Sequence, residues 1–251
     1  MARERADSQR VRWHPVTDRA ALHDAAYRWV LAAATASIAA RGRFLIVLSG
    51  GTTPRPLYER LRYGNAAWAR WHIWFADERC VPLTDQARTS TAVSDTWLSH
   101  VPIPSSQVQT IPTELGAGAA AQRYAEALQR VPQGMSPWRS GMFDVVLLGL
   151  GADGHTASLF PGSNLGESRH SPDTLAVFDA PTPPPHRVSL SANRLSRARH
   201  VLFLVEGEAK RGAVARWRAR ELIPARTICP RDGVDVLVEA SLLKQSVTPE
   251  R

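Results

Sequence analysis

A glycine-rich loop with a single histidine is the segment best suited to acid–base chemistry. The run Gly149-Leu-Gly-Ala-Asp-Gly-His155, here called the histidine loop, directly follows residues 143–148, which are apolar except for Asp144. Of the eight histidines, His155 is the only one in a Gly-rich loop after a buried strand. An imidazole can take a proton from water near neutral pH, whereas a lone histidine is often structural. The sequence therefore predicts a catalytic base at His155, with Asp153 placed either to orient the ring or to repel like charge.

The histidine loop also matches the dinucleotide-binding pattern G-x-G-x-x-G. Its context argues against that function. The pattern lies late in the chain instead of after the first strand, and Pro161 follows too soon for the long helix that receives a pyrophosphate. We therefore expect no dinucleotide cofactor.

A second loop has the composition of a phosphate site. This phosphate loop consists of Ser49, Gly50, Gly51, Thr52 and Thr53. The glycines allow close approach of the backbone, the threonines supply hydroxyls, and Thr53 can cap a helix whose first position suits Pro54. Free amides at a helix N-terminus bind phosphate. The loop lacks the Lys-Ser/Thr ending of a nucleotide P-loop, so ATP is not expected. An ordinary strand-to-helix turn is the alternative.

Charged residues after other predicted strands could contact the same ligand. Asp77, Glu78 and Arg79 follow residues 71–75 and suit polar ligand contacts or acid–base work, with a surface salt-bridge cluster as the alternative. Lys210 follows residues 201–205, and Arg187 opens another strand. Only two of the 31 basic residues are lysines, which singles out Lys210. A compact ammonium is suited to phosphate, so Lys210 and Arg187 are candidate anion-binding residues.

Strands and helices alternate along the chain, which predicts an α/β fold around a mostly parallel sheet. Strands are predicted at residues 11–15, 44–48, 71–75, 108–111, 143–148, 174–178, 188–190, 201–205 and 234–238. Helices are predicted from Asp18 to about Arg41, from Pro54, near 91–99, and at 119–130 and 208–220. No linker separates two cores, so we expect one domain over residues 1–251, with frayed tails at about 1–10 and 245–251.

Composition excludes several function classes. A net charge of +8 could indicate nucleic-acid binding, but the basic residues are almost all scattered arginines, which codon bias also explains. Two cysteines are too few for a disulfide framework or a zinc site. No apolar stretch reaches the roughly 18–20 residues of a membrane span. We expect a cytoplasmic protein that binds no metal, nucleic acid or membrane.

Four segments together resemble the glucosamine-6-phosphate isomerase/6-phosphogluconolactonase family. They are residues 48–58, 74–82, 143–163 and 207–210, and the order of elements between them also fits. The resemblance implies a modified Rossmann-like, three-layer α/β/α fold. It also implies hydrolysis of 6-phosphoglucono-δ-lactone in the oxidative pentose phosphate pathway without a cofactor. Matching positions give His155 as the base and place the phosphate loop, Arg79, Arg187 and Lys210 around the substrate.

The residues after the histidine distinguish the two activities of this family. Aminosugar-phosphate deaminases/isomerases continue with Ile-Ala-Phe-Asn-Glu-Pro, and Phe160 occupies the position of their glutamate. Lactone opening needs fewer acid–base groups, so the loss of this carboxylate favours the lactonase. The chain also departs from relatives that carry Ser-Asn-Tyr after Asp-Glu-Arg, since its nearest match is Ser90-Thr91-Ala92. A non-catalytic sugar-phosphate sensor is a further alternative, against which the intact His155 argues.

The expected mechanism follows from these assignments. Neutral His155 removes a proton from water, and the water attacks the lactone carbonyl while Lys210 and Arg187 hold the phosphate. Arg79 or loop amides stabilise the oxyanion. Asp153 is expected among the catalytic residues and Asp77 among the substrate-binding residues. We expect the enzyme to act as a monomer on a small phosphorylated sugar lactone.

Overall fold

The computed structural model describes residues 9–130 and 143–244. Its strands are β1 (Val11–Val16), β2 (Phe44–Leu48), β3 (Trp71–Phe75), β4 (Asp77–Arg79), β5 (Val108–Gln109), β6 (Phe143–Gly149), β7 (Thr174–Val177), β8 (Arg187–Leu190), β9 (Ala198–Val205) and β10 (Val234–Glu239). Its α-helices are α1 (Arg19–Arg41), α2 (Arg55–Arg62), α3 (Thr89–Thr96), α4 (Ala117–Gln129), α5 (Ala192–Ser196) and α6 (Arg211–Arg218). No helix in this part of the chain is long and apolar enough to cross a bilayer.

Seven of the described strands form one sheet, in the order β1-β10-β9-β6-β2-β3-β5, and every neighbouring pair is parallel. All five residues of β2 are buried, as expected for a parallel strand covered on both faces. The predicted α/β fold with a mostly parallel sheet is therefore confirmed. Because β2 and β6 are neighbours, the phosphate loop and the histidine loop leave adjacent strands at the same edge of the sheet.

A second sheet was not expected from the sequence. Its three antiparallel strands lie in the order β4-β8-β7. Arg79 is paired with Arg187, and Asp77 with Ser189. The prediction that residues 77–79 form a loop is therefore wrong: three charged residues carry no apolar pattern, yet their backbone pairs with β8. The pairing brings two predicted ligand-binding arginines opposite each other.

The start and the end of α1 are determined by the residues that flank it in the sequence. Asp18 caps α1 by accepting the backbone N–H of Ala21 at 2.9 Å. Gly42, at φ +72°, ends α1 and donates its N–H to Ile38 at 2.7 Å. Because β1 ends at Val16 and α1 begins at Arg19, the first turn of α1 lies just beyond the carboxyl end of β1.

The predicted amino-terminal tail is shorter than expected. Gln9 donates to the carbonyls of Ala225 and Ile228 at 2.8 and 2.7 Å, and its amide oxygen accepts the Trp217 indole N–H at 2.8 Å. Residues 9 and 10 are therefore part of the folded structure, which corrects the expectation that they fray. The rest of both predicted tails, residues 1–8 and 245–251, lies outside the described residues.

Candidate active site

The carboxyl ends of the parallel strands surround a cleft of about 410 Å³. Loops after β2, β6 and β9 line it, together with residues of β4 and β8. The predicted site residues in its lining are Ser49, Gly50, Gly51, Thr52, Thr53, Asp77, Arg79, His155, Arg187 and Lys210. Ligands of open α/β sheets bind at this edge, so the cleft is the candidate active site.

Asp153 lies behind His155 and holds its ring. The ring nitrogen Nδ1 is 2.5 Å from Asp153 Oδ1, which also accepts the His155 backbone N–H at 3.0 Å. Burial raises the pKa of the Asp153 carboxyl, but the two hydrogen bonds and the nearby imidazole outweigh it, so its pKa lies below the ordinary value. The ionised carboxylate accepts the Nδ1 hydrogen, which leaves the lone pair of the neutral ring on Nε2. Of the two roles considered for Asp153, the geometry supports orientation.

The glycines of the histidine loop make room for this arrangement. A Cβ on Gly151 would lie 2.0 Å from His155 Nδ1 and 2.6 Å from Asp153 Oδ1. Gly154 has φ +88°, and a Cβ there would meet Ile223 at 2.7 Å. The pattern that resembles a dinucleotide motif therefore serves to place an imidazole.

Ser49 fixes the phosphate loop to the neighbouring strand. Its buried hydroxyl donates to the Leu147 carbonyl at 2.6 Å, and its own carbonyl accepts the Tyr58 hydroxyl at 2.7 Å. Burial raises the pKa of Tyr58, which keeps that phenol protonated as a donor. Because the Ser49 hydrogen is engaged within the protein, the donors left for an anion are the loop amides and the hydroxyls of Thr52 and Thr53.

The first turn of α2 is uncapped. The helix begins at Arg55 after Pro54, and within the described residues no side-chain cap hydrogen bond is formed there, so the predicted cap by Thr53 is wrong. Pro56 has no N–H, so the amides of this first turn are those of Arg55 and Leu57. Unpaired amides at a helix start favour an anion, since they add to the positive end of the helix dipole.

The acidic residues of β4 have different roles. Glu78 is completely buried and accepts the backbone N–H groups of Thr89 and Ser90 at 2.6 and 2.8 Å. It therefore fixes the start of α3 through backbone contacts, in the segment that lacks the Ser-Asn-Tyr pattern. Asp77 faces the cleft and accepts the Ser158 hydroxyl at 2.6 Å. Burial raises the pKa of Asp77, partly offset by that hydrogen bond and by Arg187.

Two arginines line the cleft together with His155, and one aromatic ring lies next to its imidazole. Arg79 donates to the Ala87 carbonyl at 2.9 Å and also lines the cleft. Arg187 is held by the carbonyls of Pro184 and Thr182 at 3.0 and 2.7 Å. Its guanidinium lies 5.4 Å from the centre of the Phe160 ring, and that ring lies 4.8 Å from the imidazole.

Lys210 lies in a turn that is held by hydrogen bonds from its backbone N–H groups. The predicted helix at 208–220 begins as a 3-10 turn, Glu208–Lys210, and continues as α6. Gly207, at φ +86°, donates its N–H to Glu239 at 2.7 Å, and its carbonyl accepts the Lys210 N–H at 2.9 Å. Within the described residues, the Lys210 ammonium has no ion-pair partner, so it is available to a ligand.

Sequence reasoning missed three charged residues of the cleft lining. Arg19, Glu206 and Glu239 all line the cleft, and none belongs to a Gly-rich motif. Arg19 opens α1 just after β1, and Glu206 and Glu239 lie at the carboxyl ends of β9 and β10. The rule that ligands bind beyond carboxyl ends would have found them if it had been applied to every strand.

Comparison with known proteins agrees with this geometry. The family described as glucosamine-6-phosphate isomerases/6-phosphogluconolactonase matches residues 17–237. The chain belongs to this family. The human 6-phosphogluconolactonase is 39% identical over 202 residues, covering 77% of each chain, and the rat enzyme is 38% identical over 200 residues, covering 77% of this chain and 76% of the relative. The structure of 6-phosphogluconolactonase from Trypanosoma cruzi has a TM-score of 0.83 at 25% identity and covers 96% of this chain and 98% of that one.

Within the glucosamine-6-phosphate isomerase/6-phosphogluconolactonase family, the identity of residue 160 bears on the reaction. Phe160 is 3% exposed, and its ring centre lies 4.8 Å from that of the His155 imidazole. A phenyl ring can neither take nor give a proton. The predicted base, His155, therefore has an aromatic neighbour that cannot act as an acid.

Proposed function

We propose that this chain hydrolyses 6-phospho-D-glucono-1,5-lactone to 6-phospho-D-gluconate in the oxidative pentose phosphate pathway. The observation that carries the proposal is His155, oriented by an ionised Asp153, in the same cleft as an uncapped helix start and Lys210, which has no ion-pair partner among the described residues. A base and an anion site in one cleft suit a phosphorylated ester. The lactone itself is inferred from the names of the human and rat relatives.

The substrate phosphate binds the phosphate loop and the first turn of α2. Backbone amides and the hydroxyls of Thr52 and Thr53 donate to its oxygens, and Lys210 supplies the compensating charge. Binding energy from this remote group positions the lactone carbonyl at His155.

His155 acts first as a base and then as an acid. Nε2 takes a proton from water, and the oxygen of that water attacks the carbonyl carbon to form a tetrahedral intermediate. The imidazolium, stabilised by Asp153, returns the proton to the ring oxygen as the carbon–oxygen bond breaks. The product is the open-chain carboxylic acid, which ionises in water, and His155 ends in its starting state.

Arginine side chains and a buried carboxylate complete the site. Arg79, or the loop amides, donates to the oxyanion that develops on the carbonyl, where a fixed donor is most effective. Arg187 contributes positive charge from the neighbouring strand and assists in holding the phosphate. Asp77 accepts a hydrogen bond from a sugar hydroxyl.

The test is hydrolysis of freshly made 6-phosphogluconolactone, followed by proton release and corrected for its spontaneous opening. The proposal expects turnover of this lactone and no deamination of glucosamine 6-phosphate by the same protein. Deamination instead of lactone hydrolysis would favour the aminosugar branch. Binding of 6-phosphogluconate without turnover of the lactone would identify a sensor.

We also propose that the enzyme is a cytoplasmic monomer that binds neither nucleic acid nor membranes. Light scattering of the purified protein tests its mass against 27.6 kDa. A steeply salt-dependent affinity for DNA or RNA would contradict the absence of nucleic-acid binding.

A further inference from the structure

An arginine outside the sequence motifs is clamped at the cleft by a buried carboxylate. Arg19 Nε lies 3.0 Å from Glu206 Oε2, and Arg19 Nη2 lies 2.9 Å from Oε1. The Glu206 side chain is 5% exposed and that of Arg19 is 61% exposed. The Nε contact is a hydrogen bond, whereas the Nη2 contact is an ion pair that leaves Glu206 Oε1 without a hydrogen-bond partner among the described residues. Arg19 Nη1 has no protein partner among those residues either.

Arg19 stands beside the predicted phosphate site. Helices α1 and α2 pack together, and Asp24 of α1 forms an ion pair with Arg60 of α2. Both helices follow strands of the same parallel sheet, so they run in the same direction, and each partner lies five residues after the first residue of its helix, Arg19 and Arg55. Arg19 and the phosphate loop line the same cleft.

Among the described residues, the only other basic side chain that contacts the Glu206 carboxylate is that of His23. His23 Nε2 is 3.3 Å from Glu206 Oε2 but has no hydrogen-bond partner, and the ring is 3% exposed. Burial lowers the pKa of His23, although Glu206 opposes the shift, so the ring is neutral at neutral pH. Arg19 is thus the cation that balances the Glu206 carboxylate within the described residues. Without that pairing, the carboxylate would repel a bound phosphate.

We propose that Glu206 is a positioning residue whose buried carboxylate holds Arg19 as a second cation for the substrate phosphate, opposite Lys210. The inference rests on the proposed lactonase function for its substrate. Glu206 does not touch the lactone; it fixes a long, otherwise mobile side chain so that less conformational freedom is lost when the phosphate binds.

The test is a double-mutant cycle with Arg19→Ala and Glu206→Gln. Arg19→Ala should raise KM for the phosphorylated lactone about tenfold, because a charge-assisted contact is lost, with kcat nearly unchanged. Glu206→Gln should raise KM about threefold in the wild type. It should not raise KM in the Arg19→Ala background, because the side chain that Glu206 positions is then absent. Neither change should affect kcat/KM for unphosphorylated glucono-δ-lactone.

Three results would overturn the inference. If Glu206→Gln lowers KM in the wild type, the carboxylate acts as a repelling charge and not as a clamp. If Glu206→Gln raises KM equally in both backgrounds, or on the unphosphorylated lactone, its role is structural. Arg19 is mostly exposed, so Arg19→Ala is expected to fold even if Glu206→Gln does not, and an unchanged KM for Arg19→Ala would refute the proposal by itself.

The chain offers a matched control for the pair. Arg12 Nε and Nη2 each donate to a carboxylate oxygen of Asp235 at 2.8 Å, an arginine–carboxylate pair outside the cleft lining. Arg12→Ala should leave KM unchanged, and an increase like that of Arg19→Ala would show a general effect of losing such pairs. Should the wild type fail to hydrolyse the lactone, the proposed function fails, but calorimetric titration of inorganic phosphate into the same variants still tests the clamp through Kd.

Discussion

The two loops that leave β2 and β6 are both rich in glycine, but they are prepared for different tasks. In the histidine loop, His155 is bound by Asp153, contacted by Phe160 and closely approached by the Gly151 backbone. In the phosphate loop, the following helix is uncapped and the nearby Lys210 is unpaired within the described residues. His155 and the residues that contact it, here called the histidine side, are held in place by the protein itself. The phosphate loop and Lys210, here called the phosphate side, leave hydrogen-bond donors that a bound ligand would satisfy. Substitutions on the histidine side should therefore change kcat, and those on the phosphate side should change KM.

The largest effect is expected from removing the base. His155→Ala should lower kcat for the phosphorylated lactone by about 10²–10⁴-fold, the usual value of general acid–base catalysis, with little change in KM. His100→Ala, at an exposed position, is the control. A kcat within a few-fold of the wild type would show that His155 is not the base.

Gly151→Ala tests whether the geometry of the ring matters as much as its presence. The new methyl group would lie 2.0 Å from His155 Nδ1, so the imidazole must move. A displacement of this size should lower kcat by about 10²-fold. Gly149→Ala in the same loop meets no protein atom within 4 Å and should leave kcat within a few-fold. Equal losses in both variants would mean that the loop is merely sensitive to any change.

Lys210→Ala tests the phosphate side directly. It should raise KM for the phosphorylated lactone by about tenfold or more, because the unpaired ammonium is replaced by solvent. Hydrolysis of glucono-δ-lactone should be unaffected. Lys244→Ala, at the only other lysine, serves as the control. A loss of the same size on both lactones would place Lys210 outside the phosphate site.

Asp153→Asn should have a smaller effect on kcat, about tenfold, because the amide still reaches the ring but stabilises the imidazolium less well. The kcat of the wild type is the reference. An unchanged kcat in Asp153→Asn would show that the carboxylate charge is not needed to stabilise the imidazolium.

The sequence predicted the histidine side better than the phosphate side for a physical reason. Strand β6 and its glycines determine locally where His155 lies, so the motif contains most of its own geometry. The Asp153 hydrogen bond is equally local, since the two residues are separated by one position. The motif could not decide whether Asp153 orients the imidazole or repels like charge, because that depends on the rotamer of the carboxylate.

The phosphate side depends on contacts between distant segments. Arg19 reaches the cleft because β1 pairs with β10 at the edge of the sheet, and no residue near Arg19 signals that pairing. Thr53 fits a cap by type, yet its loop is fixed instead by the hydrogen bond from Ser49 to β6. The pairing of residues 77–79 with β8 is likewise a long-range contact. Residue types identified the chemistry, but only the tertiary structure placed it.

The smallest predicted effect is on the pH dependence of thermal stability and is caused by His23, which lies next to Glu206. Burial lowers the pKa of His23, so the unfolded chain binds a proton more readily than the native one. Native stability should therefore fall as the pH drops below about 6.5 towards the depressed pKa. His23→Gln removes this contribution, and the difference in Tm between pH 7.5 and 5.5 should shrink by roughly a few degrees relative to the wild type. His100→Gln should not change that difference; if His23→Gln also leaves it unchanged, the buried ring is not neutral in the native state.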